Sequence, residues 1–161
     1  MDLIQVWADG GCRNNQSKDN NIGGWGVVLN YNSGQLIKEL KGATRNTTNN
    51  IMELTSCIKG LEAIRDKTII TEVVMDSQYV ITGINQWVDN WIKKGWRKAD
   101  KKPVENKELW QRLVQLKNEF REISFTKCVG HANNDGNNRA DALVNEAMDE
   151  LFAQQWLNNK E

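Results

Sequence analysis

Four acids and one histidine are the residues of this chain that can do chemistry. Asp9 closes an alternating stretch, Leu3–Asp9, and is followed by Gly10-Gly11. Glu53 lies among Ile51, Leu54, Ile58 and Leu61, whose spacing is that of one helix face. Asp76 ends the β-branched run Ile69–Met75. Asp141 opens a further helical pattern, Ala140, Leu143, Val144, Ala147, Leu151. His131, the only histidine, stands in a Gly/Asn-rich stretch. Four carboxylates in one place repel one another unless cations sit among them. Hard divalent ions with oxygen ligands are the natural partners, Mg²⁺ above all. Taken singly, each acid has a plainer explanation. Asp9 can open a turn, Glu53 can cap its helix, Asp76 can cap the next one, and Asp141 can complement a helix dipole. A lone loop histidine is more often structural or merely exposed.

The elements that must position these residues follow from period and punctuation. Leu3–Asp9, Gly23–Asn30 and Gln35–Lys41 read as strands, with a turn at Asn32-Ser33-Gly34 between the last two. Their tight connections make an antiparallel meander. A helix follows, with Thr47, Thr48, Asn49 and Asn50 as N-cap candidates and capping-box spacing from Asn50 to Glu53. After the strand ending at Met75, helical spacing returns in Ile84, Trp87, Val88, Trp91 and again in Leu109, Leu113, Leu116, Phe120. Glu122–Val129 reads as a strand, 130–138 as a loop, and the remainder as a final helix. The order is βββ, α, β, ααα, β, α. Strands four and five each follow a helix, so they can run parallel to strand one. The expected fold class is α/β: a mixed five-stranded sheet, its first three strands antiparallel, its fourth and fifth parallel to the first, flanked by helices. Such a sheet delivers Asp9 and Asp76 to one edge, outside the carboxyl ends of the strands, where ligands of open α/β sheets bind.

Composition bounds the rest. A chain of 161 residues reads as a single domain over 1–161. Its 39% hydrophobic content and 12 glycines are those of a globular protein and exclude disorder throughout. No apolar run approaches the roughly 18 residues needed to span a bilayer, and MDLIQVWADGG is too polar for a secretory leader. No membrane partner is expected, and a monomer is. Three cysteines without a CxxC pair argue for a reducing, cytoplasmic setting and against zinc. Twenty asparagines argue against a hyperthermophilic source. Net charge is zero, 21 basic against 21 acidic residues, yet 93–107 holds Lys93, Lys94, Arg97, Lys98, Lys101, Lys102 and Lys107 against only Asp100 and Glu105. That block is either a solvated face or a polyanion contact.

Three segments decide between the bland and the chemical readings: TTNNIMELTSCIKGLEAI, DSQYVITGINQWVDNWIKKGWRKADKKPVENKELWQRL and VGHANNDGNNRADALVNEAM. Together with the opening ADGGC they resemble bacterial type 1 ribonuclease H, in order and at family spacing over residues 2–150. The resemblance implies a ribonuclease H-like fold and Mg²⁺-dependent hydrolysis of the RNA strand of RNA–DNA hybrids, giving 5′-phosphate and 3′-hydroxyl products. It also implies a basic protrusion over 93–107, with no separate hybrid-binding domain. Asp9, Glu53, Asp76 and Asp141 match the family's four carboxylates. By that match Asp9 would bridge two Mg²⁺ ions. Asp141 would hold the ion that activates water, and Glu53 and Asp76 the ion at the leaving 3′ oxygen. Mn²⁺ would substitute. His131, in Gly130-His131-Ala132, matches a loop histidine that shuttles a proton or aids product release.

Binding residues carry over in the same way. Thr48, Asn49, Asn50 and Gln78 match hybrid contacts, and amides and hydroxyls suit the reading of 2′-OH groups and minor-groove edges. Lys93, Lys94, Lys98, Lys101 and Lys102 belong to the protrusion, with Trp87, Trp91 and Trp96 at its base. Trp87 and Trp91 lie on helical spacing and read as packing. Asn106 matches a residue of the family's DNA-phosphate pocket. There are departures. RNNQSKDNNIGG is longer than the family's loop and lacks its Asn-Pro-Gly. Asn46 stands where the family often has arginine, with Arg45 one residue earlier, and Asn138 stands where it usually has an acid. Competing readings are another nuclease or strand-transferase of this fold and a non-catalytic hybrid-binding module. KKGWRKADKKPVEN argues against the first, and the complete acid set against the second.

Overall fold

Strand β1, Leu3–Arg13, alternates as its sequence predicts: Ile4, Val6 and Ala8 are buried, while Leu3, Gln5 and Trp7 are half-buried on the other face. The structure is a computed structural model that describes residues 2–14, 21–32, 34–128 and 135–159. β2 (Ile22–Tyr31) pairs antiparallel with β1, and β3 (Gln35–Arg45) antiparallel with β2. Helix α1 (Asn49–Glu62) crosses to β4 (Ile70–Met75), which runs parallel to β1. A helical stretch follows: α2 (Gln78–Thr82), a π-helical turn (Gly83–Trp87) and α3 (Val88–Lys93). After α4 (Lys107–Glu119) comes β5 (Ile123–Lys127), parallel to β4, and then α5 (Asp135–Asn159). The sheet order is β3-β2-β1-β4-β5. This is the expected mixed sheet, and each parallel pair is joined through helices as parallel pairing requires.

Two helical layers cover the sheet. On one face α1 packs on β1 and β2 with α4 behind it, burying Val6, Val27, Leu54, Leu61, Val73 and Trp110. On the other face α5 lies over β1, β2 and β3, where Val28, Ala140 and Leu143 pack with Trp7. Gly26 sets that approach, since a Cβ there would stand 2.5 Å from the Ala140 carbonyl oxygen. Ion pairs Arg139–Glu39 (2.8 Å) and Lys41–Glu150 (2.7 Å) clip α5 to β3.

Several boundaries differ from the sequence reading. β1 does not stop at Asp9. Pairing with β2 continues to Arg13↔Ile22, whereas pairing with β4 ends at Trp7↔Val74. β3 likewise runs past Lys41 to Arg45, because β2 still offers partners there. β5 is shorter than expected. The capping box does not form: Asn49 and Asn50 are already helical, and Thr48 is the cap, its Oγ1 accepting from Ile51 N at 3.1 Å. Glu53 is therefore the fifth residue of α1 rather than a first-turn one. Ser77, not Asp76, caps α2, accepting from Val80 N at 3.2 Å. α5 begins at Asp135, so 135–138 are helix and Asp141 lies in the second turn. His131 and residues 15–20 of the longer loop lie outside the described residues. No described helix is long and apolar enough to cross a membrane.

Candidate active site

The parallel register of β1 and β4 pairs Trp7 with Val74, so Asp9 and Asp76, two residues further on, emerge at the same level. Glu53 arrives from the α1 face. Gly10 packs directly on the Met52–Glu53 backbone, and the Gly10 N–H donates to Glu53 Oε1. Asp141 arrives from α5, on the opposite face. Acids from opposite faces of a sheet can meet only beyond its paired end. Asp9 stands there, where β4 has stopped pairing and only β2 continues. The Asp9 carboxyl is within hydrogen-bonding reach of both Glu53 and Asp141. Glu53 in turn meets the Ser77 hydroxyl and feels the charge of Asp76.

Burial holds the Asp9 carboxyl well above the ordinary aspartate range, and the charges of Glu53 and Asp141 push it further. Glu53 is only 6% exposed. Burial raises it too, opposed by hydrogen bonds from the Gly10 amide and the Ser77 hydroxyl. Asp76 and Asp141 lie on the solvent side, and Lys127 Nζ stands 3.3 Å from Asp76 Oδ1. Buried acids that resist ionising lack a counter-charge, and a donor set made only of carboxylate oxygens suits a hard divalent cation. The residues thus fit such an ion. Among the described residues the acids adjoin pairwise, and no three histidine, cysteine or acid side chains already form a ligand set.

The structure leaves most of the expected binding residues exposed. Thr48 and Asn49 are exposed and Asn50 is half-buried at the head of α1. Gln78 is exposed at the head of α2, its amide donating to Thr82 Oγ1. The protrusion leaves α3 through Gly95 and Trp96, both left-handed (φ 68° and 62°), and closes through an Arg97–Pro103 bridge and a Lys98 N–Lys102 O bond of 2.8 Å. Lys93, Lys94, Lys98, Lys101 and Lys102 are all exposed.

At its base Tyr79, Trp87, Trp91, Trp96 and Trp110 form a ring cluster, with the Trp91–Trp96 centroids 6.1 Å apart and Trp91–Trp110 5.4 Å apart. Packing accounts for Trp91. Trp87 is 38% exposed, and together with Trp91, Asn90, Lys94 and Arg97 it lines a cavity of about 420 Å³. Asn106, left-handed at φ 57°, donates from Nδ2 to the Tyr79 hydroxyl at 3.1 Å, which also accepts from Trp110 Nε1 at 3.0 Å. Arg45 lines a cavity with Arg13, Ile22 and Phe152, on the side of α5. The sequence reading missed Gly10, Ser77, Tyr79 and Lys127. Each acts on a partner from another element, and only the Asp76-Ser77 adjacency left a local signal.

Comparison with known proteins assigns the family. The RNase H family model matches residues 2–149. A ribonuclease H of Ruthia magnifica is 48% identical over 151 residues, 94% of this chain and 99% of the relative. One of Clostridium botulinum is 47% identical over 152 residues, again 94% and 99%. Among solved structures, LC9-RNase H1, a type 1 RNase H with the type 2 active-site motif, superposes with a TM-score of 0.79 at 30% identity, covering 92% of this chain and 72% of that one. LC11-RNase H1, solved in complex with an RNA/DNA hybrid, gives 0.68 at 27%, covering 92% and 99%. A family match over residues 2–149, with relatives 47–48% identical over nearly the whole length, means that this chain belongs to the ribonuclease H family.

Proposed function

We infer that this chain hydrolyses the RNA strand of RNA–DNA hybrids with two Mg²⁺ ions, leaving 5′-phosphate and 3′-hydroxyl ends. The observation that carries this reading is the meeting of Asp9, Glu53 and Asp141 from three separate elements, with Asp76 beside them, at one end of the sheet. Ribonucleases H use divalent metal ions, and the hybrid bound by a structural neighbour supports the substrate class. Asp9, Glu53, Asp76 and Asp141 would hold the ions, with Asp9 adjoining both Glu53 and Asp141; Mn²⁺ would substitute. Bound there, such ions stabilise charge on the attacking and leaving oxygens of an in-line displacement.

The chain's own residues have other tasks. The Gly10 N–H and the Ser77 hydroxyl orient Glu53. Thr48, Asn49, Asn50 and Gln78 read the hybrid's minor groove, where the 2′-OH separates RNA from DNA. Asn106 and Trp96 support the second strand at the base of the protrusion. His131, within residues 129–134, would carry a proton from the site. A single-domain, cytoplasmic monomer completes the reading.

The test is to incubate labelled RNA–DNA hybrid, duplex DNA and duplex RNA with Mg²⁺. Cleavage of the RNA strand of the hybrid alone is expected. Cleavage of duplex DNA would favour another nuclease of the fold, and hybrid binding without cleavage would favour a binding module.

The protrusion should act as a handle. Its exposed lysines form no ion pair among the described residues, so their charge is available to phosphates. Changing Lys93, Lys94, Lys98, Lys101 and Lys102 to Ala is expected to raise KM several-fold at moderate salt. Turnover at saturating substrate should stay within about threefold, because uniform binding is what is lost. The slope of log affinity against log salt should fall by about two to four, at roughly 0.7–0.9 per phosphate contact. An unchanged slope would leave the block as a solvated surface.

A further inference from the structure

We propose that Asn21 is a positioning residue for nucleic-acid contact: its side-chain amide locks the turn that presents Thr48, Asn49 and Asn50. The proposal rests on the reading of those three residues as substrate contacts. Asn21 stands at the foot of β2, immediately before Ile22, which pairs with Arg45 as the last rung between β2 and β3. One step further the backbone bond is Asn46 N to Asn21 O at 3.3 Å. Asn46 then turns left-handed at φ 56° and carries the chain off the sheet.

Beyond that point the Asn21 side chain takes over from the backbone. Its Nδ2 donates to the Thr47 carbonyl at 2.9 Å, and its Oδ1 accepts from the Thr47 N–H at 2.8 Å. The carboxamide therefore serves both backbone polar groups of Thr47, as a further residue of β2 would have done. The arrangement is dry. Asn21 is 4% exposed and Thr47 5%, so water cannot replace these bonds; without them the buried Thr47 N–H is unsatisfied and the Thr47 carbonyl keeps only the weak Cys12 thiol donor at 3.8 Å. Asparagine is the side chain that fits. Aspartate keeps the acceptor but sets a carboxylate against the Thr47 carbonyl, and glutamine carries the amide one methylene too far. The next residue, Thr48, caps α1, and Thr48, Asn49 and Asn50 all face solvent at least in part. Fixing Thr47 thus fixes three side chains that must meet a nucleic acid in register. The catalytic acids are held by other contacts, Glu53 through Gly10 and Ser77, so substrate grip and metal chemistry should separate at Asn21.

Asn21→Ala and Asn21→Asp, with Leu116→Ala as a core control, test this. Each is measured for KM and kcat on RNA–DNA hybrid, for unfolding temperature, and for Mg²⁺ affinity by calorimetry without nucleic acid. Both Asn21 variants should raise KM about fivefold to twentyfold, the span of a lost buried hydrogen bond expressed as binding. Their kcat should stay within about threefold, and Mg²⁺ affinity within about twofold of the parent. Leu116→Ala, buried in α4, should lower the unfolding temperature without moving KM. Combining Asn21→Ala with Asn49→Ala should raise KM by less than the product of the single effects, because both act through one turn. If Asn21→Ala does not fold, Asn21→Asp, which keeps the size and one bond, carries the same readouts. A parental KM in a folded Asn21 variant, an equal KM rise in Leu116→Ala, or a fully multiplicative double variant would each overturn the proposal. Absence of hybrid cleavage by the parent would instead overturn the functional reading on which it rests.

Discussion

Asp9→Asn is expected to lower turnover on RNA–DNA hybrid by at least about 10³-fold, the scale lost when charge stabilisation at reacting oxygens is removed. Hybrid affinity should stay within about threefold. Asp9 adjoins Glu53 on one side and Asp141 on the other, so the change removes one carboxylate oxygen from the proposed ion site while keeping the side chain's shape. The same substitution should stabilise the metal-free protein. Asp9 is raised to about 8 by burial first and its acidic neighbours second, and Glu53 to about 7 by burial. A folded-state pKa above the unfolded value of roughly 4 gives stability that is complete below pH 4 and is lost as pH rises through 7 to 8. In metal-chelating buffer the parent should therefore melt progressively lower from pH 5 to pH 8. The Asp9→Asn variant has no charge to bury at this position and should melt about 2–8 °C higher than the parent at pH 8, the effect of roughly 1–2 kcal/mol on a domain of this size. Added Mg²⁺ should raise the melting temperature of the parent at pH 8 and do much less for the variant. Single-turnover rates and thermal scans check both halves. Turnover within tenfold of the parent in the folded variant would remove Asp9 from the ion site.

Gly10→Ala should unfold or disable the protein, whereas Gly11→Ala should do neither. A Cβ on Gly10 would stand 2.5 Å from the Glu53 amide nitrogen and from the Met52 carbonyl oxygen. Those atoms are helix backbone and cannot swing aside as a side chain would. The strand and α1 must separate, and the Gly10 N–H bond to Glu53 Oε1 goes with them. The expected loss is about 3 kcal/mol or more, at the upper end of overpacking penalties, with at least about 100-fold lower cleavage. A Cβ on Gly11 meets only Val144 Cγ1 at 3.5 Å, an ordinary contact. Its replacement should change stability by less than about 1 kcal/mol. Urea unfolding of the two variants side by side is decisive: equal midpoints would show that β1 and α1 do not approach this closely.

Both results turn on features that sequence reading reaches unequally. The strand alternation in Leu3–Ala8, the helical spacing from Ile51 to Leu61 and the order of elements were legible because they repeat a local period, and the sheet follows from them. The four acids were legible as types standing near element ends and as matches to a family. Their boundaries were not, because pairing decides where a strand stops. β1 continues past Asp9 only because β2 has partners to offer, and a helix starts at Asp135 where composition suggested a loop.

The fold class, the candidate acids and the basic block were all readable from the chain. These are properties of residue type and period, which each segment carries alone. Tertiary packing sets Glu53 of α1 and Asp141 of α5, on opposite faces, each against Asp9, beyond the last β1–β4 pair. It also decided that Gly10 and Ser77 hold Glu53, and that Tyr79 joins Asn106 to Trp110. It gave Asn21 to Thr47 across the end of the sheet. These are pairings between residues far apart in the chain. No local period encodes them, because they exist only once the sheet register and the helix approach distances are set.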